Sequence, residues 1–211
     1  MHAAPAFRMD DQAEMAAFIE ARHFATLVVS DERGPQAAHI PMILSRDANG
    51  RPVALEGHVA RNNPVAAIAA APARALAIFS GADAYVTPSL YLSKREHGKV
   101  VPTWNYMAVH VSGMVEAFND ADALRDQVAR ITDMMEQPAA VPWKVSDAPD
   151  DYIAKMLGAI TGVRIRIEAI EGIAKLSQNR PEGDRASVLN GFQHSNDHAA
   201  RQLAAEMSRK V

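Results

Sequence analysis

The 211-residue sequence contains no cysteine, which excludes disulfides, iron–sulfur clusters, thiolate zinc sites and cysteine nucleophiles. It has no excess of basic charge: 22 Lys and Arg stand against 25 Asp and Glu, a formal net charge of −3. That argues against a broad surface for nucleic-acid phosphates, while leaving room for a local basic patch. No apolar run approaches membrane-spanning length. Residues 1–10 lack the apolar core and basic flank of a secretory signal, so a cytoplasmic location without membrane contact is expected. Neither a Walker A loop nor a G-x-G-x-x-G occurs, so no nucleoside triphosphate and no Rossmann-bound dinucleotide is expected. His110 and Ser112 share a strand face without a strained nucleophile turn, which removes a hydrolase triad. His194 and His198 stand four apart on an expected helix with no third ligand nearby, so no metal site is expected.

What is present is an ordinary globular composition, 48% apolar and 22% charged. No repeat and no Gly- or Ser-rich linker divides it, so residues 1–211 are expected to form one domain with a C-terminal helical tail. Asp10 or Asp11 can cap a helix carrying Met15, Phe18 and Ile19. Strands are expected at 24–30, 36–44 and 52–58, with turn chemistry at Asp31–Pro35 and Asp47–Gly50. The alanine-rich stretch 64–71 favours helix, and 75–80 and 84–87 read as two strands. The longest alternating run is 104–118. Its face of Asn105, Met107, Val109, Val111, Gly113 and Val115 suits a barrel interior. Its other face, with Trp104, Tyr106 and His110, mixes aromatic and polar groups as a site or a subunit interface would. Asn119 or Asp120 can cap a helix with the stripe Leu124, Val128, Ile131 and Met135. Period two returns over 163–176, and 196–210 reads as a helix held by Leu203 and Met207. Strands dominate and helices sit between hairpins. The expected fold is therefore mainly β, an antiparallel barrel with peripheral helices.

Three segments could carry chemistry. In Leu55–Pro64 a strand ends at His58 and a helix begins at Pro64, where proline suits the first position and Asn63 can cap. Helix-start N–H groups attract anions, and Arg61, Asn62 and His58 stand close enough in sequence to hold a terminal phosphate monoester. The same segment also reads as an ordinary capped helix beside a surface arginine. In Val101–Tyr106, Trp104 and Tyr106 flank Asn105, a cluster that can stack on a planar ring or serve as core. Lys175–Arg180 puts polar side chains on a loop after the last strand, where binding groups concentrate or a turn is merely solvated.

Taken together, Ala38-His39-Ile40-Pro41, Leu55–Pro64, Tyr85–Ser89, Val101–His110 and Lys175–Arg180, in this order, closely resemble the PaiB family of FMN-binding negative transcriptional regulators. The Pro-Thr-Trp-Asn-Tyr and Lys-Leu-Ser-Gln-Asn segments are specific in combination. Thr87 and Leu92 depart from the Ser and Pro of many relatives. The resemblance implies an FMN-binding split β-barrel, a homodimer, and FMN near the subunit interface. It implies cofactor contacts from Ala38, His39, Ile40 and Pro41 beside the flavin ring. Gly57 would also contact the cofactor, and His58, Arg61 and Asn62 would lie at the phosphate, with Trp104, Asn105, Lys175, Ser177, Gln178 and Asn179 approaching from the same or the partner subunit. A repressor responding to flavin or redox state is the implied function. No basic recognition helix stands out to support it. A flavin-dependent oxidoreductase acting on a small molecule, or a flavin- or haem-binding carrier without turnover, are the alternatives. No acid, base or nucleophile commits the chain to catalysis.

Overall fold

The computed structural model describes residues 1–209. A 3-10 turn (Pro5–Phe7) leads into β1 (Arg8–Met9), α1 (Gln12–Arg22), β2 (Phe24–Asp31), β3 (Gly34–Pro41), β4 (Ile43–Arg46) and β5 (Pro52–Ala60). Then come α2 (Pro64–Ile68), β6 (Ala73–Val86), α3 (Ser93–Glu96), β7 (Thr103–Phe118) and α4 (Ala121–Glu136). The chain continues through α5 (Asp150–Leu157), β8 (Ile160–Lys175), α6 (Glu182–Gln193) and α7 (His198–Arg209). Lys210 and Val211, at the end of the expected tail, lie outside the described residues. The eight strands form one mainly antiparallel sheet in the order β3-β2-β6-β7-β8-β5-β4, with β1 beside β8. This is the mainly β architecture with peripheral helices that the strand pattern predicts.

Residues group into two compact units. One comprises residues 16–79 and 110–170; the other comprises 1–15, 80–109 and the chain from 171 onward. In the first of these, the sheet's two edge strands β3 and β4 are consecutive in the chain, separated only by Met42. The sheet therefore returns on itself, as a barrel does. Met42 N–H leaves the ladder for the carbonyl of His23 at 2.8 Å. This breaks the single strand expected over 36–44 into β3 and β4. Leu27, Val29, Leu55, Ala77, Phe79, Val111, Val163 and Ile165 fill the interior, each 1% exposed or less. On the outside, Leu124, Val145, Ile153 and Leu157 form a satellite core between α4 and α5.

The other unit packs α6 against α7, burying Val188, Phe192, Leu203 and Met207. The buried Asp184 of α6 accepts from Ser93 N–H at 2.9 Å and Ser93 Oγ at 2.5 Å. Burial opposes the charge of Asp184, but these bonds outweigh it and hold its carboxyl below the usual range. His194 ends α6 while His198 opens α7, because Ser195 and Asp197 turn the chain between them. The two histidines thus do not share a helix as their spacing suggested.

Candidate functional site

All six residues of the expected interior face of β7 are buried, among them Asn105, 0% exposed. The candidate residues fall into both units. Ala38, His39, Ile40, Pro41, Gly57, His58, Arg61 and Asn62 lie in the barrel unit; Trp104, Asn105, Lys175, Ser177, Gln178 and Asn179 lie in the other.

In the barrel unit, β5 passes so close to the end of β3 that a Cβ on Gly57 would stand 2.7 Å from the Pro41 carbonyl oxygen. The 38–41 and 57–62 segments are thereby brought together. His39 is exposed on β3; its Nδ1 lies 3.0 Å from Thr26 Oγ1 and its ring stacks on Phe24 at 6.5 Å. Along β5 the alternation sends Leu55, Gly57 and Val59 inward, and Glu56 and His58 toward α4. There Gln127 Oε1 meets His58 Nδ1 at 3.0 Å. Gln127 is fully buried, and its Nε2 has no partner among the described residues. One turn along α4, Arg130 bonds the carboxylate of Glu56, which also accepts from Arg164 Nε at 2.6 Å. Burial works to raise the Glu56 carboxyl, but the two guanidinium groups outweigh it and hold it below the usual glutamate range.

Arg61 follows the end of β5. Its backbone N–H bonds the Ala159 carbonyl at 2.9 Å, and its Nη2 donates to the Ile160 carbonyl at 3.1 Å. Among the described residues no carboxylate pairs with it. Beside it, Thr161 Oγ1 donates to Asn119 Oδ1 at 3.0 Å. Arg61 and Asn119 are common walls of two clefts. One, of about 310 Å³, runs along the alanines of α2 with Ala117 and Thr161. The other, of about 300 Å³, lies between α4 and α5.

The helix start at Pro64 is a different matter from the expectation. The helix is five residues long, and its first donors are spent: Pro64 has none, Val65 N–H bonds Asn63 Oδ1, and Ala66 N–H bonds the Asn63 carbonyl. That helix end therefore offers no free N–H group in its first turn to an anion.

In the other unit, Trp104 is half exposed and meets Tyr85 edge to face at 5.8 Å. Asn105 and Ser177 are buried and bonded to each other, Nδ2 donating to Oγ at 3.0 Å. Ser177 adopts a left-handed φ of 65°. Lys175 Nζ donates to Thr103 Oγ1 at 2.6 Å, and Gln178 folds back on Leu176 N–H and the Ala174 carbonyl. Asn179 alone of this loop group is exposed. Most of the loop's polar groups thus hold the loop itself.

Sequence reasoning missed Gln127 and Thr161 and treated Asn119 only as a cap. Asp120 in fact caps α4, its Oδ1 accepting from Ala123 N–H at 2.9 Å. A signal for Gln127 was available: it stands on the buried stripe of α4 beside Leu124 and Ile131.

Residues 1–169 match the family described as "Putative FMN-binding domain". An uncharacterized protein of Aspergillus fumigatus is 36% identical over 200 residues, covering 75% of this chain and 76% of that protein. Protease synthase and sporulation protein PAI 2 of Bacillus subtilis is 29% identical, covering 97% of this chain and 95% of that protein. Among solved structures, the FAD and haem binding protein from Mycobacterium smegmatis superposes with a TM-score of 0.59 at 17% identity, over 85% of this chain and 79% of that one. The flavocytochrome Anf3 from Azotobacter vinelandii gives 0.58 at 14% identity, over 88% and 78%. At these identities the likeness to the two structures is one of fold.

Proposed function

The chain belongs to the PaiB-type family of FMN-binding domains, and on that premise we propose that it is a negative transcriptional regulator whose state follows its bound flavin. It acts as a homodimer in the cytoplasm. Flavin binding comes with the family; the phosphate position and the regulatory role go beyond it. The observation that carries the phosphate position is Arg61, free of any carboxylate among the described residues, sharing a cleft with Asn119, whose Oδ1 is held by Thr161. A phosphate monoester is a near-dianion, and a guanidinium pairs with two of its oxygens through parallel N–H bonds. Asn62, exposed beside Arg61, adds a further donor. Gly57, with no side chain, lets β5 approach the 38–41 segment closely, and in this reading the flavin ring lies along that segment. When bound, the flavin supplies one- and two-electron redox chemistry. The chain's part is to bind and orient it, and to let its state alter a surface that partners read.

The test is a visible spectrum of the purified protein followed by gel-shift assays on the promoter region of its own gene, with and without FMN. Flavin bands and an FMN-dependent shift are expected. A flavin-loaded protein that shifts no DNA would remove the regulatory role. A colourless protein that takes up no flavin would remove the whole reading.

A further inference from the structure

Two clefts share Arg61 and Asn119 in their walls, and a ligand ending in a phosphate monoester needs only one of them. We propose that the site also accepts a dinucleotide flavin, FAD. The phosphoryl group at Arg61 and Asn119 is then the first of a diphosphate, and the adenosine half enters the cleft between α4 and α5. This rests on the phosphate position given above and extends it to the class of cofactor.

The chemistry of the second cleft suits a nucleoside better than a second anion. Leu124 and Leu157 are buried side chains at its base, and Ala154 narrows its wall. Such an apolar floor with a few polar groups at the rim is how small-molecule sites receive a flat heterocycle. Arg125 stands at the rim, its Nη2 3.2 Å from Asp150, a carboxylate whose side chain is 90% exposed. A pair so open to water leaves the guanidinium plane available to stack on a base. Asp122 lines the same cleft. Its carboxylate can accept hydrogen bonds from ribose hydroxyls. Each cleft by itself sits at the small end of the volumes that hold ligands. A ligand reaching across Arg61 uses both. No Rossmann-type glycine motif is needed, because the donors at the diphosphate are side chains.

The experiment is a set of calorimetric titrations of the full chain, stripped of flavin, with riboflavin, FMN and FAD. The wild type is expected to bind FAD no more weakly than FMN. Ala154→Trp, at an exposed helical position that tolerates the larger side chain, should fill the second cleft. It is expected to weaken FAD by about tenfold or more while FMN stays within about twofold. Arg125→Ala should move FAD in the same direction and guards against misfolding of the tryptophan variant. A wild type that binds FMN but not FAD overturns the proposal, as does FAD affinity unchanged in both variants. Arg61→Ala reads the underlying position separately. It should weaken FMN and FAD together relative to riboflavin, and equal losses for all three would overturn the phosphate position itself.

Discussion

Arg61 and Glu56 lie five residues apart on or just beyond one strand and represent opposite uses of charge. Glu56 is buried and held by two arginines, whereas Arg61 keeps most of its donors uncommitted. Replacing Arg61 with alanine should therefore leave stability nearly unchanged and strike binding. Losing one charge-assisted contact costs about 1.5–3 kcal/mol, roughly ten- to a hundredfold in FMN affinity. Riboflavin, which has no phosphate, should be almost unaffected in the same fluorescence titration; equal losses would mean that Arg61 acts through folding. Glu56→Gln should do the reverse. Arg130 and Arg164 are each 41% exposed at the side chain, so water softens the loss. We expect about 1–2 kcal/mol in urea denaturation, below the 3–5 kcal/mol of a fully buried pair. Because the folded-state carboxyl is held below its ordinary value, its contribution is complete above the unfolded glutamate range. It fades as pH falls through the lowered value. Wild type and Glu56→Gln should thus differ most near neutral pH and converge in acid; a constant difference down to pH 2 would contradict the assignment.

Between these residues and the barrel stand the elements, and α4 is the one that ties the site together. Asp120 caps it, Gln127 and Arg130 reach β5, and Leu124 anchors the satellite core. Asp120→Ala should cost about 1 kcal/mol, the usual worth of an N-cap. It should also disturb the neighbouring Asn119, and with it FMN affinity. Thermal melts with and without FMN would check both parts. Where hydrophobic period was strong, the elements were legible in the sequence: β7 alternates over its whole length, and α4 was visible from its cap and stripe. The failures have local causes. The break at Met42 depends on a carbonyl from His23, where a left-handed φ of 51° turns the chain. Residues 75–80 and 84–86 proved to be parts of one long β6, which runs unbroken through Gly81 and Asp83, while Thr87 caps the 3-10 turn that follows. The segment 64–71 ends as helix at Ile68. Helix α6 was overlooked because its only fully buried acid, Asp184, breaks the apolar stripe. In the candidate site, charges and motifs were readable at Arg61. The pairing of Asn119 with Thr161 was not, because it joins residues 42 apart across two strand ends.

Each compact unit leaves apolar surface uncovered. On the barrel unit the outer face of β2 and β6 presents Val28, Leu76 and Ile78, all half-buried, near Phe24, which is 61% exposed. On the other unit Trp104, Tyr85 and Val101 are 52%, 49% and 64% exposed. Single exposed apolar side chains are ordinary, but contiguous patches of aromatic and branched residues mark interaction surfaces. The net charge of −3 is small enough not to oppose self-association. A second copy of the chain is the partner expected here, with an interface above about 1,000 Å² if it is to persist at micromolar concentration. Light scattering on the purified full chain should give a mass twice that of one chain at such concentrations. Trp104→Glu combined with Tyr85→Glu replaces two exposed aromatic rings with charges, so the fold should survive while association weakens. Aromatic residues at the centre of an interface commonly contribute more than 2 kcal/mol apiece, roughly thirtyfold each in dissociation constant. The double variant should then run as a monomer at concentrations where the wild type is dimeric. A monomer mass for the wild type would count against the dimer. A variant that remains dimeric with unchanged affinity would move the interface away from these two rings and onto the face of β2 and β6, where Val28→Glu is the corresponding test.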